Sequence, residues 1–243
     1  MRRIKIGQIL LFSLLCATLA QAQAAPPAQT KPPAGHLRVW HFASNLKGQV
    51  SVSLVGGAPR PTILARALML SDVMNYSEIP PGRYKLTVRA SEKDFNVTEA
   101  SPELIPAVEI VVVDKTFQTV ILQNDANTTK VFLVNDSPTG AGIPRGSKRL
   151  RIFNFAPGQD ASLRTAPKND IIAAPLNAGM SEHLFPNNPG SLTLVMSNKL
   201  KNGREAHQSV EANFTAVDSI SALVMLDRYG RLTFQSVEDA KSE

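Results

Sequence analysis

A seven-residue pattern that occurs twice restricts the folds open to this 243-residue chain. Residues 37–43 read LRVWHFA and residues 150–156 read LRIFNFA. Matching landmarks follow both copies in the same order: an apolar segment, a Pro-Gly turn, an alternating segment, and two apolar segments around a polar turn. Because chance does not readily preserve such an order, the sequence predicts a structural unit that was duplicated in tandem.

Short segments rich in β-branched residues, separated by turn residues about every ten positions, are typical of an all-β sandwich. We therefore predict two tandem antiparallel β-sandwich domains of immunoglobulin-like type, spanning residues 37–136 and 149–236. Residues 137–148, rich in Gly, Pro and Ser, are predicted to be a linker, and residues 237–243 a polar tail.

Two segments allow more specific expectations. Residues 63–70 are compatible with a helix or with a strand that crosses between sheets. Residues 108–113 form a nearly continuous apolar run, which is typical of a strand buried on both faces.

Each copy of the unit contains a Pro-Gly pair, Pro81-Gly82 in the first and Pro189-Gly190 in the second. Proline presets φ for a turn and glycine supplies positive φ, so we expect both pairs to close hairpins. It follows that Gly82→Val should destabilise the first domain by steric conflict.

The first 24 residues have the order of a secretory signal peptide: cations, an apolar run, and small residues at the end. The apolar run is shorter than the roughly 20 residues needed to span a bilayer, so no membrane span is expected in the mature chain. Residues 25–36 are predicted to be an exposed Pro-rich tether. Cys16, the single cysteine, lies within the signal, and a lipoprotein signal would need a small residue where Leu15 stands. We therefore expect a periplasmic or secreted protein without disulfides.

Removing the three cations of the leader halves the formal net charge of +6, which leaves too little positive charge to indicate a nucleic-acid partner. The sequence contains one cluster of basic residues. The simplest interpretation is that they belong to a solvated linker, and the alternative is that they contact an anionic polymer or a protein partner. It consists of Arg145, Lys148, Arg149 and Arg151.

No motif in the chain indicates catalysis, a metal or a cofactor. The four histidines do not have the spacing of metal ligands, no Gly-x-Ser-x-Gly elbow occurs, and the Gly-rich linker lacks the spacing of a phosphate-binding loop. Paired carboxylates could still meet across strands, and the candidates are Glu78, Glu109, Asp72 and Asp170. We expect a protein that is not an enzyme.

The opening strand also predicts how its side chains are arranged. Strand alternation places Trp40 and Phe42 on one face and His41 on the other. We expect the two aromatic rings to point inward, with Trp40 anchoring the core of the first domain and His41 facing solvent.

Three features together resemble a known family. They are the opening strand at residues 37–43, the VSVSL segment at residues 50–54, and the Pro-Gly-x-Tyr sequence at residues 81–84. The chain looks like the periplasmic accessory proteins of alginate O-acetylation, the AlgF family, and is similar to the broader DUF4397 group of secreted β domains. The resemblance covers residues 37 to 235, and the chain departs from it in the Pro-rich leader and in an insertion between Val88 and Val108.

The resemblance implies two β-sandwich units and an adaptor without catalytic residues of its own. Such a protein would support O-acetylation of an alginate-like exopolysaccharide through contacts with envelope proteins of a polysaccharide-modifying complex. The alternative is a secreted or cell-surface module that binds polysaccharide or an envelope protein. An esterase or lyase acting on polysaccharide is the least favoured class.

Overall fold

Sixteen strands in four four-stranded sheets make up the regular structure of the described residues. The computed structural model describes residues 32–239 apart from 58–59, 92–101, 126–127, 138–143, 145, 157–160, 167, 169, 174–178, 186, 188, 200–202, 228 and 230. The predicted signal peptide and most of the predicted tether therefore lie outside the described residues.

The first eight strands form two sheets. They are β1 (Gly35–Phe42), β2 (Val50–Val55), β3 (Thr62–Leu68), β4 (Ser77–Ile79), β5 (Gly82–Ala90), β6 (Val108–Val112), β7 (Phe117–Asp125) and β8 (Thr128–Asn135). Sheet 1 has the order β4-β1-β7-β8 and sheet 2 the order β3-β2-β5-β6. We call this part of the chain the first half.

The remaining strands form two further sheets, in what we call the second half. They are β9 (Lys148–Asn154), β10 (Ala161–Ala166), β11 (Ile171–Ala173), β12 (Gly179–Phe185), β13 (Ser191–Lys199), β14 (Glu205–Asn213), β15 (Ser219–Leu226) and β16 (Leu232–Glu238). Sheet 3 has the order β12-β9-β15-β16 and sheet 4 the order β11-β10-β13-β14.

Each half has its own apolar core. Sheets 1 and 2 enclose a cluster that includes Leu37, Val39, Val52, Leu86 and Val120. Sheets 3 and 4 enclose a second cluster with Leu150, Ile152, Leu194, Phe214 and Val224. The all-β prediction and the β-sandwich character are confirmed for the described residues, and the ambiguous segment at residues 63–70 is largely strand β3.

The sequence predicted purely antiparallel sheets, but sheets 1 and 3 each contain one parallel pair of strands. β1 pairs in parallel with β7, and β9 pairs in parallel with β15. Parallel neighbours need a crossover connection between them. Between the two strands of each parallel pair, the chain forms the four strands of the facing sheet and one edge strand of the same sheet. The parallel pair lies at the centre of sheets 1 and 3.

The Pro-Gly turns do not close hairpins. β4 pairs with β1 in sheet 1, whereas β5, which follows Pro81, belongs to sheet 2. In the second half, β12 belongs to sheet 3 and β13 to sheet 4. Each turn therefore carries the chain from one sheet to the other, a geometry that local turn chemistry does not distinguish from a hairpin. The segments around the later polar turns do form hairpins, β7 with β8 and β15 with β16.

Residues 108–113 are not buried on both faces. β6 is the edge strand of sheet 2, and Val111 and Val113 are 45% and 49% exposed, whereas Ile110 and Val112 are buried. Because the exposed side chains of this strand are also valines, the sequence does not show the alternation between buried and exposed positions.

Several predicted boundaries also differ from the observed strands. β1 begins at Gly35, inside the predicted tether, and β16 extends to Glu238, inside the predicted polar tail. Asp239, the last described residue, is buried. The proposed division into two domains with a linker at 137–148 stays a prediction.

The two glycines of the Pro-Gly turns should differ in their response to substitution. Gly190 has a φ of +69°, whereas Gly82 is not among the positive-φ residues and has ordinary space for a Cβ beside the Tyr84 ring. We expect Gly190→Ala to lower the free energy of unfolding by about 1 kcal/mol because a left-handed backbone disfavours a side chain. Gly82→Ala should cost less, because its Cβ meets the Tyr84 ring only at ordinary contact distance; the expectation for Gly82→Val, which adds two further carbons there, stays a prediction. Urea unfolding of both variants checks this, and equal losses would contradict it.

Candidate functional site

The faces of sheets 1 and 3 that turn away from their own cores meet along a seam. β1 contributes Arg38, Trp40 and Phe42, while the matching side chains of the second copy are Arg151, Phe153 and Phe155. Both copies of the repeated heptapeptide are therefore buried on both faces. Along β1 the seam runs from a charged end at Arg38, through aromatic packing, to a pocket beside Phe42.

This arrangement corrects two predictions about the opening strand. Trp40 packs in the seam and not in the core of the first half. His41 lies on the same side of β1 as Leu37 and Val39 and is completely buried, so it does not face solvent. Alternation correctly separated the two sets of side chains, but it could not show that both faces of the strand are covered.

His41 has a counterpart at the matching position of the second copy. The His41 Nδ1 atom accepts a hydrogen bond from the Ala43 N–H at 3.3 Å, and Asn154 Oδ1 accepts one from the Ala156 N–H at 3.0 Å. Burial lowers the pKa of His41 to about 4, although the nearby Asp72 carboxylate acts in the opposite direction. The imidazole is therefore neutral at physiological pH.

At the charged end, two arginines and two aspartates pair across the seam. Arg38 Nη2 lies 2.7 Å from Asp239 Oδ1, and Arg151 Nη2 lies 2.6 Å from Asp136 Oδ1. Arg151 Nη2 is also 2.7 Å from Asp239 Oδ1, and Arg38 Nη2 is 3.5 Å from Asp136 Oδ2. All four residues are at most 4% exposed, and their formal charges cancel.

Each half supplies its members of this charged cluster in the same way. Arg38 is level with Thr119 on the parallel neighbour and donates to its hydroxyl at 2.7 Å. Arg151 is level with Ser221 and donates to that hydroxyl at 3.1 Å. Thr119 in turn donates to Asp136, and Ser221 donates to Asp239.

The backbone completes the charged cluster. Arg38 donates to the Glu238 carbonyl at 3.1 Å, and Arg151 donates to the Asn135 carbonyl at 3.4 Å. Each guanidinium therefore binds the end of a strand in the other half.

The ionised forms of the charged cluster stabilise one another. Burial alone would raise the pKa of Asp239, but Arg151 and Arg38 outweigh it and hold that pKa below its usual value. Burial would lower the pKa of Arg151, but Asp239 and Asp136 raise it. The pKa of Tyr76, whose hydroxyl donates to Asp136 at 2.8 Å, is raised by burial and by that carboxylate. Groups so firmly held in one protonation state are suited to structural pairing and not to proton transfer near neutral pH.

Aromatic side chains fill the middle of the seam. The Trp40 and Phe153 rings meet edge to face with centroids 5.5 Å apart, and Phe42 and Phe155 stack at 4.0 Å. The Arg38 guanidinium lies over the Trp40 ring at 4.4 Å, which joins the aromatic packing to the charged cluster. Such contacts add to the apolar burial that holds sheets 1 and 3 together.

At the far end of the seam lies a pocket of about 170 Å³. Its lining carries no ionisable side chain and consists of Phe42, Ser44, Leu70, Gln123, Asn124, Phe155 and Leu226. Asn124 Nδ2 donates to the Ser44 hydroxyl at 2.6 Å. By strand register, Gln123 occupies the position that Met225 occupies in the second half, so an amide replaces an apolar group here. The pocket can hold a small uncharged group.

The structure places the basic residues singled out in the sequence differently from our expectation. Arg145 lies outside the described residues. Lys148 is half-buried and pairs with Asp218 at 2.6 Å. Arg149 is buried and donates to Ser219 Oγ at 3.0 Å, and burial and the neighbouring Arg151 lower its pKa. Lys148, Arg149 and Arg151 belong to β9, so they are not part of a solvated linker.

The candidate carboxylates lie on separate elements. Asp72 lies between β3 and β4, Glu78 on β4, Glu109 on β6, and Asp170 between β10 and β11. In the part of the chain that the structure describes, no group of three or more His, Cys, Asp or Glu side chains is placed to hold a metal ion.

Sequence reasoning missed Asp136 and Asp239. Both stand just after a strand, Asp136 at the boundary of the predicted linker and Asp239 in the predicted tail. The recurrence of Arg38 as Arg151 within apolar heptapeptides was the available signal, because an arginine buried at that position requires a carboxylate partner.

Comparison with known proteins adds little. No family model and no curated protein matches the chain. Among solved structures, the chain is similar to that of a "putative cell adhesion protein" from Bacteroides uniformis ATCC 8492. The two share 8% identity with a TM-score of 0.21, over 84% of this chain and 98% of that one. A likeness this weak carries no argument about fold or function.

Neutralising one buried carboxylate should weaken the fold strongly. We expect Asp239→Asn to lower the free energy of unfolding by about 3 kcal/mol, because both arginines lose a partner inside a buried site. Glu238→Gln, a change of the same chemistry at the adjacent exposed side chain, should have little effect. Urea unfolding measures both, and an unchanged midpoint for Asp239→Asn would show that the charged cluster is not structural.

His41 should make stability depend on mildly acidic pH. The pKa is about 4 in the folded chain and 6.5 for an ordinary histidine. Between these pH values His41 binds more protons in the unfolded chain than in the folded chain. The contribution of neutral His41 to the free energy of unfolding is therefore present at neutral pH and falls by about 3 kcal/mol as the pH drops from 6.5 to 4.

His41→Asn tests this, because Asn154 makes the equivalent hydrogen bond in the second half. The variant should lose much of the pH dependence between 6.5 and 4 in thermal unfolding, whereas His207→Asn, at an exposed site, should keep it. Parallel curves for the wild type and His41→Asn would refute the assignment.

Proposed function

We propose that this chain is a non-catalytic accessory protein that supports O-acetylation of an alginate-like exopolysaccharide by binding envelope proteins. One observation carries the proposal. The repeated heptapeptides, which carry the family resemblance, use their charged and aromatic side chains to bind the two halves together. Arg38 and Arg151 are thereby committed to buried pairs with Asp239 and Asp136, which suits a rigid two-lobed body that acts through its surface.

We further propose that the two halves are tandem copies of one immunoglobulin-like unit. The matching strand orders of sheets 1 and 3 support this, since each has a parallel pair at its centre. The Arg, hydroxyl and Asp contributions to the charged cluster also come from matching positions in both halves. Duplication is the simplest origin of such matching.

The proposed site of action is the periplasm or the cell exterior, following the signal-like leader. No helix in the described residues is long and apolar enough to cross a membrane. The proposed partners are proteins of a polysaccharide-modifying complex, with no nucleic acid and no cofactor involved.

The pocket at the end of the seam favours a second candidate, a secreted module that binds polysaccharide. Its uncharged lining combines the rings of Phe42 and Phe155 with the amides of Gln123 and Asn124. Aromatic rings with a few polar groups are a common composition for small-molecule sites, but this volume is below the roughly 300 Å³ at which such sites usually begin. The adaptor role is therefore preferred.

Deleting the gene in its source organism tests the adaptor role. We expect the acetyl content of the exopolysaccharide to fall while its yield is maintained, and expression of the wild-type chain to restore acetylation. Unchanged acetylation in the deletion strain would refute the proposal.

A second arm of this test uses the purified chain. Offered acetylated sugars and chromogenic esters, it should release no acetate or chromophore above a heat-denatured control. Turnover would favour the esterase class instead.

A further inference from the structure

Among the described strands, β8 lies at the edge of its sheet, and it carries apolar side chains on both faces. It forms one edge of sheet 1 and pairs only with β7 among the described strands. The adjacent residues Phe132 and Leu133, which point to opposite faces, are 42% and 41% exposed. An apolar strand at the edge of a sheet is a template for pairing with another strand, and natural proteins usually protect such edges with charges or cover them.

The matching edge of the second half is protected. β16 occupies the place of β8, and the strand registers align Val134 with Val237. Phe132 and Leu133 then correspond to Gln235 and Ser236, so the second half has polar residues where the first has apolar ones. β14 also binds β16, because Gln208 Nε2 donates to the Leu232 carbonyl at 2.7 Å and Ser236 donates to the Glu211 carbonyl at 2.8 Å.

We propose that β8 is a dimerisation edge, which pairs antiparallel with β8 of a second copy of this chain. If the pairing is centred on Phe132, the two Phe132 rings of the dimer lie opposite each other. Val131 of one copy then lies opposite Leu133 of the other. Lys130, the only charged residue in Thr128–Asn135, then faces Val134, so no two like charges oppose each other. The edge is self-complementary, as a twofold interface requires.

The size of this edge predicts a weak dimer. One strand of eight residues from each copy covers less than the roughly 800 Å² per partner that stable interfaces bury. The association should therefore be reversible and depend on concentration. This inference concerns the oligomeric state and does not depend on the proposed role in acetylation.

Sedimentation velocity of the purified chain over a range of concentrations tests the dimer. The wild type should shift from monomer to dimer, and the double variant Phe132→Gln, Leu133→Ser should stay monomeric with at least a tenfold weaker association. This variant takes the residues found at the matching edge, so it should fold, which a thermal melt checks.

A matched control is Val111→Gln, Val113→Ser, which removes an equally exposed apolar pair from the β6 region of sheet 2. This variant should dimerise like the wild type. Equal loss in both double variants would attribute association to general hydrophobicity and overturn the proposal.

Disulfide trapping tests the register. In a Cys16→Ser background, Phe132→Cys should form a disulfide-linked dimer on mild oxidation, because the two sulfurs face each other across the pair. Thr129→Cys should not, because it would face Asn135 of the copy. Preferential cross-linking at residue 129 would overturn the register.

A wild type that is monomeric at all concentrations would overturn the dimer. If such a monomer then bound an envelope protein through Phe132 and Leu133, the occupant of the edge would be a strand of a different protein.

Discussion

The mutual neutralisation of Arg38, Asp136, Arg151 and Asp239 is the interaction on which the rest of the described structure depends. Each charge alone would be costly to bury, and each is tolerated because oppositely charged partners from both halves surround it. The strands that carry the arginines also lie at the centres of sheets 1 and 3. The charged cluster therefore fixes how the two central strands face each other, and the aromatic packing of the seam follows from that register.

The charged cluster is suited to selecting one relative orientation of the two halves. Aromatic surfaces such as those of Trp40 and Phe153 attract each other in many orientations, because apolar burial has little directional preference. Paired guanidinium and carboxylate groups have narrow geometric requirements. With the charged cluster at one end and the pocket at the other, the seam holds the outer edges, including β8, in fixed relative positions. A protein that acts by contact benefits from such a rigid frame.

Much of the fold could be predicted from the sequence, because strands alternate and turns have characteristic residues. The β-sandwich character and the apolar segments that pair as β7 with β8 and β15 with β16 were predictable in this way, whereas the hairpins expected at the two Pro-Gly pairs were wrong. The parallel pairing of β1 with β7 was not, since strand order depends on contacts distant in sequence. The buried state of His41 and Arg151 was missed for a related reason: alternation shows which residues share a face but not what covers that face. Asp136 and Asp239 follow strand ends, where polar residues are ordinarily solvated.

The central claim is that the seam makes the two halves fold as one unit. Differential scanning calorimetry of the purified chain tests this most directly. The account predicts a single transition whose calorimetric enthalpy equals the van't Hoff enthalpy, because neither half can expose its charged and aromatic face alone without a large loss of stability. Two separate transitions, each with its own midpoint, would show that the halves are independent and that the seam is only a contact between them.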